Sequence, residues 1–165
     1  LIDLGVNLSD IIDSGFEGFV AIKDLWFNKS MIPKKMGVYM IINTEHDVEF
    51  INPGVGGFFK GKDPNVDVLT LEEKYVKSLV VYIGKAGGSS SKATLFSRLG
   101  QYLSFGLSKN VGHYGGRYIW QIKNHSNLVV CWKTLSSEEP IFIEKELLSF
   151  FKEDFGKLPF ANLIG

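Results

Sequence analysis

One acidic residue stands where the hydrophobic pattern leaves no room for it. On a helical wheel at about 100° per residue, Ile141, Ile143, Leu147, Leu148, Phe150 and Phe151 share one half, and Glu144 falls at its centre. A carboxylate turned inward costs several kcal/mol unless a cation, a metal ion or hydrogen-bond donors meet it. Its partner is therefore either a structural Lys or Arg, a water-filled rim, or a bound metal. Other groups able to do chemistry are Tyr39 and Tyr82 in strand-like runs, Lys85 just after the second run, and Arg98 with Tyr102 one helical turn later. Each has an ordinary alternative. Tyrosines on strands commonly pack with a satisfied hydroxyl, Arg98 can be a surface charge, and Lys85 can be a solvated loop residue.

The elements that must hold these residues are legible in pieces. Val38-Tyr39-Met40-Ile41-Ile42 and Leu79-Val80-Val81-Tyr82-Ile83 read as strands, being β-branched and aromatic. Leu128 to Leu135 reads as a third. Leu95, Phe96, Leu99, Tyr102 and Leu103 repeat at helical spacing, with Gly106 as a stop. Ser136-Ser137-Glu138-Glu139-Pro140 supplies a capping box and a first-turn proline, and Gly156 sits at a left-handed C-cap, which brackets a helix of about 16 residues. Residues 117–123 fit either a strand or a short helix. The expected class is α+β, with a small, three-stranded, mainly antiparallel sheet flanked by helices.

A chain of 165 residues fits one domain, 1–165, with an N-terminal arm over about residues 1–30 and an insertion over 43–78 expected to be peripheral. Within it Gly56-x4-Gly61-Lys62-Asp63 imitates a phosphate-cradling loop, yet Asp63 stands where a magnesium-holding Ser or Thr belongs and Pro64 opens no helix. Eighteen basic residues cancel eighteen acidic ones, so the net charge carries no nucleic-acid signature. The distribution does better, because Lys85, Lys92, Arg98, Lys109 and Arg117 lie in a stretch from Lys85 to Lys123 without Asp or Glu. The single cysteine, Cys131, excludes an internal disulfide and a cysteine metal cage. No apolar run reaches membrane-spanning length and no basic-then-apolar leader is present, which leads to the expectation of a cytoplasmic protein without membrane contact. His46 and His125 read as surface residues.

Gly37-Val38-Tyr39 followed by Tyr82-Ile83-Gly84 resembles the paired tripeptides of the GIY-YIG nuclease superfamily. The ordered series behind them strengthens the resemblance: Lys85-Ala86, then Arg98 and Tyr102 on a helix, Glu144 in an acid-x-x-Leu-Leu context, and Asn162 in Leu158-Pro159-Phe160-Ala161-Asn162. The pattern is most similar to the N-terminal catalytic domain of the bacterial excision-repair nuclease. Two departures stand out. Tyr39 and Tyr82 are separated by the insertion, and Glu144 lies further from Asn162 than in the repair enzyme.

The resemblance implies adjacent tyrosine-bearing strands and a metal-dependent endonuclease acting on nucleic acid, DNA in the first place, leaving a 5′-phosphate and a 3′-hydroxyl. It implies one Mg²⁺ or Mn²⁺ held by Glu144, a hard cation that keeps several waters and can do with a single protein carboxylate. Arg98 would offer a planar fork to phosphate oxygens and Lys85 a point charge. Arg98 and Tyr102, at i and i+4, would address the same phosphate. Tyr39 or Tyr82 would orient or deprotonate water, which asks nearby cations to stabilise a phenolate of ordinary pKa about 10. Asn162 would position the Glu144 region or the substrate, and Gly84, Lys92, His113 and Arg117 would contact the substrate. The alternative is a GIY-YIG-like module that binds nucleic acid or protein and has lost turnover.

Overall fold

The computed structural model of the chain describes residues 7–45 and 47–164, so His46 lies outside the described residues. Among the described residues the α-helices and β-strands follow one another as α1 (Leu8–Asp13), β1 (Glu17–Ala21), α2 (Ile22–Phe27), β2 (Gly37–Ile42), α3 (Val68–Lys74), β3 (Val80–Ala86), α4 (Leu95–Phe105), β4 (Val129–Thr134) and α5 (Pro140–Phe155). The class is α+β. The sheet has four strands in the order β1-β4-β2-β3, all neighbours antiparallel. The fourth strand, β1, lies in the segment expected to be an arm. Its period-two pattern is broken by Gly18 at φ +96° and Phe19 at φ +57°, with a register shift between Gly18 and Val20. Gly18 is required there, since a Cβ would come within 2.7 Å of the Trp132 ring.

β2 is buried along its whole length because both faces of the sheet are covered. Tyr39 and Ile41 join a core with Leu95, Leu99, Tyr102 and Trp120 on the α4 side. Val38, Met40 and Ile42 join a second core with Leu147, Leu148 and Phe151 of α5. Cys131 sits in that second core, where burial pushes its thiol up to about 12. No described helix is long and apolar enough to cross a membrane.

The ends of α4 and the C-terminal end of α5 follow local chemistry. Thr94 and Ser97 form a capping box at α4. Gly156 ends α5 at φ +73° with its N–H on the Lys152 carbonyl. The capping box expected over 136–139 is absent, because Glu139 is itself the N-cap of α5 and its carboxylate accepts from the Ser89 N–H at 3.1 Å. That acid ties the start of α5 to the loop after β3. Residues 114–121 form 3-10 turns, which settles the strand-or-helix ambiguity. Residues 43–78 fold against the core rather than standing off it. Buried Gln121 accepts from the Val66 N–H at 2.9 Å and donates to the Ile51 and Val66 carbonyls at 3.0 and 2.9 Å.

β3 is an edge strand, and its outer edge is closed by the C-terminal segment. The Ala161 N–H donates to the Val81 carbonyl at 2.8 Å. Asn162 clasps Ile83 at both main-chain groups, accepting from its N–H and donating to its carbonyl, each at 2.9 Å. The clasp stops short of Gly84–Ala86. Asn162→Ala strips two buried polar groups of their partner and should cost about 1–3 kcal/mol. Urea unfolding checks this; a loss below about 0.5 kcal/mol, within the range of neutral surface changes, would mean that the clasp is not structural.

Candidate active site at the edge of the sheet

Tyr39 and Tyr82 reach one place because β2 and β3 pair in the register Ile41↔Tyr82 and Tyr39↔Gly84. Both rings lie on the α4 face, with centroids 6.1 Å apart. Gly84 makes this possible: a Cβ there would lie 2.4 Å from Cζ of Tyr39. Gly84 is thus a packing requirement under the Tyr39 ring. Lys85, the next residue, turns to the α5 face. Glu144 of α5 approaches from the same side. An open cleft of about 350 Å³ spans the strand edge and is lined by Tyr39, Tyr82, Lys85, Arg98, Gln101 and Glu144. Groups from opposite faces of the sheet meet there only because β3 is the last strand.

Behind the tyrosines stands His113, 1% exposed. Its Nε2 is hydrogen-bonded to Tyr39 Oη at 2.8 Å, and its ring stacks on Tyr102 at 3.7 Å with a 6° tilt. Its Nδ1 is buried without a partner among the described residues. Burial first, then the Arg98 charge, push His113 well below its usual pKa, against a smaller raising contact with its own main chain, so the ring is neutral. Burial lifts Tyr39 and Tyr102 well above the phenol range. Tyr82 is raised to about 12, chiefly by burial and by Glu144, while Arg98 and a hydrogen bond from Tyr39 work against it. Of the three phenols it is the most exposed, at 9%.

Arg98 donates through Nη1 to the Gln101 side chain at 3.0 Å and to the Gly112 carbonyl at 2.8 Å, leaving the rest of its fork in the cleft. Glu144 makes no ion pair within 4 Å with a described residue. Burial raises its pKa, and Lys85, Lys145 and Arg98 only partly offset this. Among the described residues no group of three His, Cys, Asp or Glu side chains could cage a metal. The donor set fits a hard divalent cation held by one carboxylate and by water, and does not fit zinc.

Several expected site residues stand elsewhere. Tyr102 gives its hydroxyl to the Gly116 carbonyl at 2.6 Å in the interior, so it supports the His113 ring and does not share a phosphate with Arg98. Asn162 addresses Ile83, not Glu144. Lys92 is exposed outside the cleft. Arg117 lies 3.9 Å over the Tyr114 ring and donates to the Tyr114 carbonyl. His125 is half-buried against Trp26 and Trp120 rather than free on the surface. Gln101 joins the cleft without having been expected there, although its i+3 spacing from Arg98 is the signal that finds it. No sequence signal ties His113 to Tyr39.

Comparison of the chain with protein-family models, with curated proteins and with solved structures finds no match in any of the three.

A neutral buried imidazole links stability to pH with a definite sign. The folded pKa of His113 lies below the unfolded value of about 6.5, so its contribution is complete above pH 6.5 and is lost as pH falls below it. The loss should approach about 1.4 kcal/mol per pH unit relative to His113→Gln, which keeps a donor to Tyr39 and cannot titrate. Unfolding curves of both proteins between pH 7.5 and 5 check this; parallel curves would contradict a buried neutral histidine.

Proposed function

We propose that the protein is a metal-dependent endonuclease of the GIY-YIG type that hydrolyses phosphodiester bonds in DNA. The observation that carries the reading is the convergence of two phenols, a guanidinium, an ammonium and a carboxylate without an ion-pair partner on one open cleft at the sheet edge. In support, β4, β2 and β3 form a contiguous antiparallel trio with the tyrosine-bearing strands adjacent. The neutral net charge is no obstacle, because residues 74–137 contain no Asp or Glu and supply most of the cleft.

Hydrolysis needs an activated water, neutralisation of charge at phosphorus and a stabilised leaving oxygen. Arg98 and Lys85 hold the non-bridging phosphate oxygens, the first as a partly fixed fork and the second as a mobile point charge. Glu144 would hold one Mg²⁺ or Mn²⁺, which supplies Lewis-acid polarisation of the phosphate and the leaving oxygen when bound. Tyr82 is the base. It lines the cleft, and Arg98 and a hydrogen bond from Tyr39 act against the burial and the Glu144 charge that raise its pKa; a cation held by Glu144 would offset the latter. Tyr39 Oη is in turn hydrogen-bonded to Nε2 of neutral His113, with donor and acceptor set by the imidazole tautomer.

The purified protein should nick supercoiled plasmid with Mg²⁺ or Mn²⁺ and not with chelator. Glu144→Ala should abolish nicking, and Tyr82→Phe should slow it by about 10²–10⁴-fold, the usual worth of a general base. Gel assay of the plasmid forms reads all three. Nicking that persists in Glu144→Ala overturns the site assignment. Binding without nicking by the wild type favours a module without turnover.

A further inference from the structure

The segment Phe58-Phe59-Lys60-Gly61-Lys62 belongs to the insertion and takes no part in the chemistry above. Its geometry is nevertheless specific. Lys60 holds a left-handed backbone at φ +53°, followed by Gly61 at φ +75°. A non-glycine residue in that region is uncommon and persists only where its surroundings fix it. Here they do, through the loop that carries His113. The Lys60 N–H donates to Asn110 Oδ1 at 3.1 Å, and Ser108 Oγ donates to the Val55 carbonyl at 2.8 Å. Gly57 lies so close to Lys109 that a Cβ would sit 1.9 Å from its carbonyl oxygen. Tyr114 Oη donates to the Asp63 carbonyl at 3.1 Å.

The stitched pair of loops displays charge on aromatic rings. Lys60 Nζ lies 5.2 Å from the Phe59 ring centre and Lys62 Nζ 5.6 Å from that of Tyr114. A cation laid on a ring is held in place without being neutralised. Lys109 adds a third exposed cation from the facing loop. Phe58, 53% exposed, leaves an aromatic side chain open to solvent. The acid that follows the segment, Asp63, turns its carboxylate onto the Asn65 N–H and amide at 2.9 and 2.8 Å. The sequence likeness of Gly56 to Lys62 to a nucleotide loop does not extend to structure, since the next helix begins only at Val68.

The platform is contiguous with the cleft. Phe59 approaches Gly112, where an added Cβ would meet its ring at 3.5 Å, and the Gly112 carbonyl is the acceptor of Arg98. We propose that Phe58, Lys60, Lys62 and Lys109 bind a single-stranded stretch of DNA flanking the cleft, the lysines on phosphates and Phe58 stacked on an unpaired base. The assignment rests on the nuclease reading for its role, and it makes substrates with unpaired flanking nucleotides the preferred class.

Binding in chelator separates the two claims, because no turnover occurs there. The probe is a fluorescein-labelled thymine oligomer of about 20 nucleotides, long enough for more than one site of about 4–16 nucleotides, beside a blunt duplex of equal length. Fluorescence anisotropy is followed across a sodium chloride series. Lys60→Ala/Lys62→Ala should reduce the slope of log K against log salt by about 1.4, or ~0.7 per lost single-strand phosphate contact. Phe58→Ala should weaken the oligomer by about fivefold or more while moving the duplex less than twofold. The charge-matched Lys23→Ala/Lys152→Ala, on other surfaces, should match wild type. Circular dichroism melts confirm that each variant is folded. Platform variants that bind the oligomer as wild type does overturn the proposal, whether or not the protein nicks plasmid, and so does a wild type that binds neither probe. A wild type that binds through Lys60 and Lys62 yet never nicks supports the platform and overturns the nuclease reading alone.

Discussion

The whole arrangement depends on a carboxylate held half out of water without a salt bridge to any described residue. Glu144 could be relieved by a small shift toward Lys85 or Arg98, yet neither lies within 4 Å of it. What prevents the shift is packing. Leu147, Leu148 and Phe151 lock α5 against the sheet, and Arg98 is tied to Gln101 and the Gly112 carbonyl. Burial therefore raises the proton affinity of Glu144, and a bound cation is the alternative to a proton. The same low-dielectric surroundings raise Tyr39, Tyr82 and Tyr102 and silence His113, so with Glu144 five titratable groups are displaced from their usual ranges in one small volume. Such clusters are more common at functional sites than in structural networks.

The edge position of β3 is the second constraint. A central strand has both flanks paired, and its two faces are separated by the sheet. At the edge formed by β3 the α4 face delivers Tyr39, Tyr82 and Arg98, and the α5 face delivers Lys85 and Glu144. Edge strands ordinarily need protection from pairing with other chains. Ala161 and Asn162 provide it along Val81 and Ile83 while leaving the stretch at Gly84 to the cleft.

How much of this is legible in the chain depends on whether a signal is local. The strands at Val38–Ile42 and Leu79–Ile83, the α5 helix with Pro140 and Gly156, and the inward Glu144 follow from periodicity and caps, and all are readable. The wheel misplaces Ile141, which is 38% exposed although the adjoining Pro140 is buried. β1 escapes the pattern because two consecutive left-handed residues erase its alternation. Gln121 pinning the insertion, His113 behind Tyr39, and Tyr102 turned to Gly116 are long-range pairings that no spacing encodes. Asn162 stands in the sequence as a candidate side-chain partner, but its partner is the Ile83 backbone, which the sequence does not reveal.

Under the proposed function the Glu144 carboxylate, and not another acidic group, receives a divalent cation beside the tyrosines. The protein offers an internal competitor in the groove lined by Asp10, Asp13, Glu138 and Glu146 on the far side of α5. Paramagnetic broadening by substoichiometric Mn²⁺ in nuclear magnetic resonance spectra of the isotope-labelled protein discriminates directly. The expected result is selective loss of the amide signals of Gly84, Lys85, Ala86 and Glu144, abolished in Glu144→Gln. Broadening centred on Asp10 and Asp13, or unchanged by Glu144→Gln, would contradict it.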